Sequence, residues 1–371
     1  MLRAGPERAW VGPSRWAPAL TAAALLGAVP IAAAATVTGA GSTFASPAYG
    51  KWCRESGLCA YAAIGSTGGL NAAADRDVDF AGSDALPTAD QLARISDAAG
   101  GVGPLYFPTL LGAVTIPTNV TGLTGRLRLR GDVLGRIFDG EVTSWNDHAI
   151  ASTNPGVRLP AAPITVCVRA DGSGTSFAFS RYLTKVSPSF KAKVNFSQTP
   201  RWTAPRILTG TGNPGVAQCV KNTPNSLGYV DVPDAVEAGL APEIAAIGRD
   251  RIRTTRTRVG GRVRVRRTRV TTYVLPGARS ISAAAESRRI PPSLLVDVSD
   301  SPTPGAYPIA ITTWVVAYGN YTAAGKDLSG VKRVLGYFYS PAAQRELVNL
   351  GYAPLPAGLR AAAVAQIAKL R

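Results

Sequence analysis

The sequence predicts an α/β protein, with sheets covered by helices on both faces. Short apolar runs of strand length recur along the chain, as in "AAIGS", "VDFAGSD" and "ITVCV". Stretches of helical pattern, such as 90–99 and 176–185, alternate with them. The 371 residues are enough for two domains with their own cores. A chain that is 46% hydrophobic and 17% charged is too apolar to be disordered. It has no short-period repeat and no long low-complexity linker.

The N-terminal 35 residues read as an export signal. Arg3, Arg8 and Arg15 precede an apolar, alanine-rich run over 17–35. Ala33 and Ala35 form a small-x-small cleavage pattern, which makes Thr36 the first mature residue. Pro18 and Pro30 interrupt the run and weigh against a retained membrane anchor. No cysteine stands at the cleavage site, so a lipid anchor is not expected. No other run reaches the roughly 20 apolar residues of a spanning helix. The expected location is the periplasm or the outer face of the cell envelope.

Four cysteines agree with export: Cys53, Cys59, Cys167 and Cys219. Three pairings are possible. Cys53 and Cys59 flank the short segment "RESGL", which favours a local loop and leaves Cys167 for Cys219. A zinc site is not expected. There is no CxxC, and the sole histidine, His148, is far from all four cysteines in sequence.

The formal charge of +17 is concentrated in one place. Residues 249–269, "RDRIRTTRTRVGGRVRVRRTR", hold ten arginines against one aspartate. Without that excess of nine the chain carries +8. Alternation on both sides of Gly260-Gly261 predicts a hairpin with a two-residue turn over 249–273. Arg262, Arg264 and Arg266 recur at every second position, so one strand face should be strongly cationic. The segment lacks aromatic residues to stack bases, so nucleic acid is not the expected partner. A solvated hairpin or a contact to an acidic surface polymer, lipid or partner remains.

Three glycine-hydroxyl loops each precede a helical stretch: "GAGSTFASP", "GSTGG" and "RADGSGTSF". The last follows the strand "ITVCV", with the helix expected from Ser176. The N–H groups at a helix N-terminus carry partial positive charge and bind anions. Glycine lets the backbone approach closely, and Ser173 and Thr175 add hydroxyl donors. Glycine and serine also suit an ordinary capped turn. Three such loops together point to one small anion.

With these loops, the order "TGAGSTFASPAYGKW", "GSTGG", "VDFAGSD", "YFPTLLGAVTIPTN", "LGRIFDGEVTSWND", "VRADGSGTSF", "LGYV" and "YPIAITTW" resembles the phosphate-binding proteins of bacterial phosphate uptake transporters, the PstS family. The likeness covers roughly residues 38–356. It implies a two-lobed type II periplasmic-binding-protein fold with a hinge and an interlobe ligand cleft. Lobe 1 would join 36–114 with 310–371, and lobe 2 would be 115–309, with crossings near "GAVTIPT" and "PIAITTW". The implied ligand is inorganic phosphate, delivered by a monomer to the permease of an ABC transporter, without a cofactor. The implied ligand residues are Thr43, Phe44, Ser66, Asp84, Arg169, Ser173, Gly174 and Thr175, with Asp171 beside the arginine. Phe44 and Gly174 would act through their backbone N–H groups. The arginine-rich hairpin departs from the family pattern.

The chemistry of these residues is coherent without the likeness. An ionised Asp84 can only accept a hydrogen bond, so it suits an anion that still carries a proton and repels one that does not. Arg169 offers a rigid fork of donors, and Asp171 can hold it. A secreted phosphatase or serine hydrolase using Ser173 is the rival reading. It needs a base, and His148 is expected to be a solvated surface residue. A basic surface adhesin on the same scaffold is the third.

Overall fold

The computed structural model describes residues Thr36–Arg371; the expected signal segment lies outside them. The strands in chain order are β1 (Val37–Gly41), β2 (Cys59–Ala63), β3 (Phe80–Ser83), β4 (Leu105–Ala113), β5 (Thr118–Asn119), β6 (Arg128–Arg130), β7 (Thr165–Arg169), β8 (Ile207–Gly210), β9 (Ser226–Gly228), β10 (Ala246–Val259), β11 (Arg262–Val274) and β12 (Ala310–Ala317). They form a five-stranded sheet in the order β2-β1-β3-β12-β4 and a four-stranded sheet in the order β5-β9-β7-β8. A smaller sheet runs β11-β10-β6.

In the five-stranded sheet β1 pairs parallel with β2 and β3. The late strand β12 enters antiparallel between β3 and β4. Every residue of β3 and β12 is buried, as expected of strands covered on both faces. The strand read from "AAIGS" lies earlier than expected, at Cys59–Ala63. Gly65 adopts a positive φ of 81°, and the serine after it already starts the helix Ser66–Ala74.

The chain passes between the two larger sheets twice, and the two passages touch. Val114 N–H donates to Ile309 O at 2.9 Å. Beside them Thr115 N–H donates to Val230 O, and Val230 N–H returns a bond to Thr115 O. Two aromatic groups fill the interior. Tyr49, Trp52, Tyr61, Phe80 and Phe338 pack around the five-stranded sheet. Phe138, Phe179, Trp202 and Tyr229 pack beside the four-stranded one. Among the described residues no helix is long and apolar enough to cross a membrane.

Both expected disulfides are formed. Cys53–Cys59 ties the helix Ser46–Ser56 to the start of β2, and Cys167–Cys219 ties β7 to the helix Gly212–Asn222. The closed loops differ in sequence separation, 6 against 52 residues. Loop-closure entropy assigns about 2 kcal/mol to the short bridge and about 4 kcal/mol to the long one. Cys167→Ala/Cys219→Ala should therefore lower unfolding free energy in urea about twice as much as Cys53→Ala/Cys59→Ala. Equal losses would contradict the entropic account.

The hairpin is present, longer than the arginine-rich run itself. Gly260 and Gly261 both have positive φ, 57° and 76°, as a tight primed turn requires. β6 supports only its base, pairing with Ala246–Gly248. The expectation of one cationic face is too narrow. Pairing places Arg262, Arg264 and Arg266 with Arg253 on one face, while Arg256, Arg258 and Arg267 occupy the other. Opposed residues share a face, and within each strand the arginine spacing breaks its alternation, between Arg253 and Arg256 and between Arg266 and Arg267, so each strand's arginines fall on both.

Candidate functional site

The loop after β7 is built from the core outward. Tyr229 is fully buried, with its ring stacked on Phe179 at 4.8 Å. Its hydroxyl accepts from Arg169 N–H at 3.1 Å and shares a 2.7 Å bond with Ser176 Oγ. Aromatic packing therefore fixes the end of the strand and the start of the next helix. That helix spans Gly174–Val186, two residues earlier than expected, because Ser173 caps it. Ser173 Oγ accepts from Ser176 N–H at 3.1 Å. Gly174 and Thr175 thus lie in the first turn, where backbone N–H groups lack intrahelical partners.

Arg169 is buried at the loop entrance. Its Nε donates to Asp171 Oδ1 at 2.8 Å, its Nη2 donates to Asp171 Oδ2, and its Nη1 donates to Asn213 Oδ1 at 2.9 Å. Three of the guanidinium's five donors are spent on orientation, and two remain. Burial works against the Asp171 charge, but the Arg169 fork and the Gly212 N–H outweigh it and hold the carboxyl below its usual range. Asn213 is itself fixed, donating from Nδ2 to Asp231 Oδ2 at 3.2 Å.

Asp84 faces this loop from the end of β3, almost wholly buried. Oδ1 accepts from Thr313 Oγ1 at 2.5 Å, and Oδ2 accepts from Ser42 Oγ at 2.6 Å and Ser66 Oγ at 3.4 Å. A carboxylate has about four lone-pair sites, so three hydroxyls leave room for roughly one more donor. Burial pushes the Asp84 carboxyl up to about 6 against the pull of Ser42, Thr313, the Arg169 charge and Ser66. The group is therefore ionised at neutral pH, where its charge opposes folding. That cost fades as pH falls through about 6 towards the unfolded value near 4.

The two sides meet across the cleft. Asn213 N–H donates to Thr43 Oγ1 at 3.3 Å. The Thr67 hydroxyl donates to Gln198 Oε1, and Gln198 Nε2 donates to Leu86 O at 2.9 Å. A Cβ placed on Gly65 would lie 2.6 Å from Asp171 Oδ2 and 2.8 Å from Gly172 O. Thr175 Oγ1 is buried here with no hydrogen-bond partner among the described residues. A buried hydroxyl in that state costs free energy unless something accepts or donates to it.

All nine residues singled out from the sequence thus lie on this cleft or support it. Ser66, Asp84 and Gly174 touch; Arg169 and Asp171 form the fork; Thr43 faces Asn213; Ser173 caps and Thr175 is unpaired. The Phe44 ring belongs to the core against Tyr352, so its side chain does not line the cleft. Sequence reasoning missed Ser42, Asn213 and Thr313 as direct partners of Asp84, Arg169 and Thr43, and Tyr229 and Gln198 as supports. "GAGSTF", "LGYV" and "YPIAITTW" contained three of them, without a local pattern to single them out.

Close approach of the two sides depends on Gly174. A Cβ there would lie 2.3 Å from Ser66 Oγ, 2.8 Å from Asp84 Cβ and 2.9 Å from Asp84 N. A hydroxyl can swing aside, but the Asp84 backbone cannot. Gly174→Ala should weaken ligand binding by about 5- to 150-fold, the equivalent of an overpacking cost of about 1–3 kcal/mol. The cost falls on the arrangement in which Gly174 meets Ser66 and Asp84, and ligand-free melting reads any part of it borne without ligand. Titration calorimetry and ligand-free melting test this together. Undiminished affinity would show that the sides do not need this approach.

Two helix-covered sheets joined by paired chain passages are the architecture of a periplasmic binding protein, and the comparisons agree. Residues 28–342 match the family model described as a PBP superfamily domain. The solved structure of the ancestral soluble variant of the human phosphate-binding protein superposes with a TM-score of 0.70 at 20% identity, covering 90% of this chain and 94% of that one. A high-affinity periplasmic phosphate-binding protein, PfluDING, superposes with a TM-score of 0.67 at 22% identity, covering 89% and 93%. In sequence, the phosphate-binding protein PstS of Xylella fastidiosa is 31% identical over 333 residues, covering 87% of this chain and 82% of its own. The chain belongs to the PstS family of phosphate-binding proteins.

Proposed function

We propose that this protein captures inorganic phosphate in the cleft between lobes 36–114 plus 310–371 and 115–309, closes over it, and delivers it to an ABC-type permease outside the cytoplasm. The observation that carries the reading is the pairing of one acceptor with many donors. Asp84 offers an acceptor site to a P–OH, and it is the only carboxylate among the nine residues besides Asp171, which the arginine occupies. Arg169, the Thr175 hydroxyl and the helix N-terminus at Gly174 offer donors to the oxygens. Thr43, Ser66, Ser173 and the backbone of Phe44 complete the proposed ligand set.

The same residues favour binding over turnover. Ser173 Oγ is engaged as a helix cap, and His148 is exposed on a short helix, His148–Ala151. Among the described residues no histidine or carboxylate hydrogen-bonds to Ser173 Oγ, where a nucleophilic serine would hold its base. The two side-by-side chain passages at Val114 and Ile309 suit a hinge. Small ligands gain at most about 1.5 kcal/mol per heavy atom, so five atoms give about 7.5 kcal/mol and a low-micromolar dissociation constant. Charge-assisted bonds improve on that. Calorimetry with phosphate, sulfate and a nucleotide tests the reading. Micromolar or tighter binding of phosphate alone is expected, and preference for either of the others would overturn it.

A further inference from the structure

We propose that the arginine-rich hairpin is a membrane-surface arm that docks on anionic phospholipid through one amphipathic face. The inference concerns a part of the molecule away from the cleft and stands without the ligand assignment.

The arm is a two-stranded ribbon. β10 and β11 pair without interruption from Ile247–Val274 to Val259–Arg262, yet β6 reaches only to Gly248. From 250 to 259 it extends roughly 30 Å beyond that support. Its root is fastened. Arg249 Nη2 donates to Asp300 O at 3.2 Å, Arg251 Nη2 donates to Pro302 O at 2.6 Å, and Arg128 stacks over Tyr273 at 5.7 Å. Further out the situation changes. The seven arginines from Arg253 to Arg267 are exposed and make no ion pair within the described residues. A ribbon this long with two open edges buries little of its own surface.

The two faces differ in degree. On one, arginine is set mainly against threonine: Arg253 is opposite Thr268, Thr255 opposite Arg266 and Thr257 opposite Arg264, with Val270 opposite Arg251 nearer the root and Val259 paired with Arg262 at the turn. On the other, arginine meets aliphatic side chains along most of its length: Arg258 is opposite Val263 and Arg256 opposite Val265, with Thr254 opposite Arg267 and Ile252 further down the same face. Ile252, Val263 and Val265 are 60%, 55% and 54% exposed. Exposed aliphatics interleaved with guanidiniums give that face an apolar and a cationic component together.

This chemistry selects the partner. A soluble anionic polymer would satisfy the arginines and leave the aliphatics in water. A second copy would bring two strongly cationic arms together. Nucleic acid would need stacking side chains, and the segment 249–272 contains no aromatic residue. An anionic bilayer takes both components. Guanidiniums pair with lipid phosphates while short aliphatics enter the headgroup boundary.

The test is flotation of the chain 36–371 with phosphatidylcholine vesicles, with and without phosphatidylglycerol. Binding is expected only with the anionic lipid, falling steeply between 0.1 and 1 M salt. Arg256→Ser/Arg258→Ser/Arg267→Ser should weaken it about 100-fold. Ile252→Thr/Val263→Thr/Val265→Thr should weaken it about tenfold or more at unchanged net charge. Both variants alter exposed side chains, and unchanged melting temperature serves as the folding control. Absence of binding to anionic vesicles overturns the proposal and leaves a solvated arm. Undiminished binding by the aliphatic variant also overturns it and makes the arm a polyanion binder.

Discussion

Replacing Asp84 with asparagine should collapse the preference for phosphate over sulfate by about 100-fold or more, while phosphate affinity changes by less than about tenfold. A site organised around a ligand hydroxyl rejects an analogue lacking it by about 10⁴–10⁵. In the proposed site the rejecting element is a carboxylate that accepts from three hydroxyls and keeps acceptor capacity for about one donor more. An amide places a donor where the carboxylate had only acceptors, so a fully deprotonated oxyanion is no longer repelled. It also removes a buried negative charge, which offsets the lost P–OH contact. The native protein should show the same change with pH. Its Asp84 carboxyl titrates near 6 because burial disfavours the charge. Below that value the group carries a proton and becomes a donor, so sulfate should compete better as pH falls through about 6. Competition calorimetry with both anions at pH 5 and pH 8, on the native protein and the variant, reads both effects. Sulfate exclusion that is unchanged in Asp84→Asn would remove Asp84 from the selectivity mechanism.

The features that were legible in the sequence are local ones. The strand before "RADGSGTS" and the helix after it are adjacent in the chain, so an apolar run and a glycine-serine turn announce them. The hairpin likewise declares its turn through Gly260-Gly261. Convergence of three glycine-hydroxyl loops could be inferred because each loop carries its own helix start. The partners that complete the site are of another kind. Thr313 reaches Asp84 across 229 positions, on a strand inserted late into an early sheet. Asn213 reaches Arg169 across 44 and Thr43 across 170. Neither has a spacing or composition that distinguishes it from an ordinary loop or strand polar residue. The distribution of arginines over both hairpin faces was legible only in part: the spacing breaks its alternation between Arg253 and Arg256 and between Arg266 and Arg267. One strand's alternation shows its own two faces, but which face receives the partner's arginines depends on cross-strand register.

Replacing Arg169 with lysine should lower phosphate affinity by about 100-fold or more, although the net charge of the cleft is unchanged. Lysine is a point charge on a flexible stem and has no fork. In the native site the guanidinium is held on two sides, by both Asp171 oxygens and by Asn213, which is in turn held by Asp231. That chain of contacts aims the two remaining donors. An ammonium cannot satisfy Asp171 in bidentate fashion, reach Asn213 and address a ligand together. Two charge-assisted hydrogen bonds lost at about 1.5–3 kcal/mol each correspond to at least two decades in affinity. Stability should fall as well, because Asp171 loses the partner that holds its carboxyl below the usual range. With the lysine, that carboxyl rises toward the ordinary value, and the stability it contributes above the unfolded value is lost at a higher pH as the solution is acidified. Calorimetric titration with phosphate, alongside melting curves from pH 3 to pH 8, separates the two losses. If Arg169→Lys binds phosphate as tightly as the native protein, charge alone holds the anion and the fork has no part in recognition.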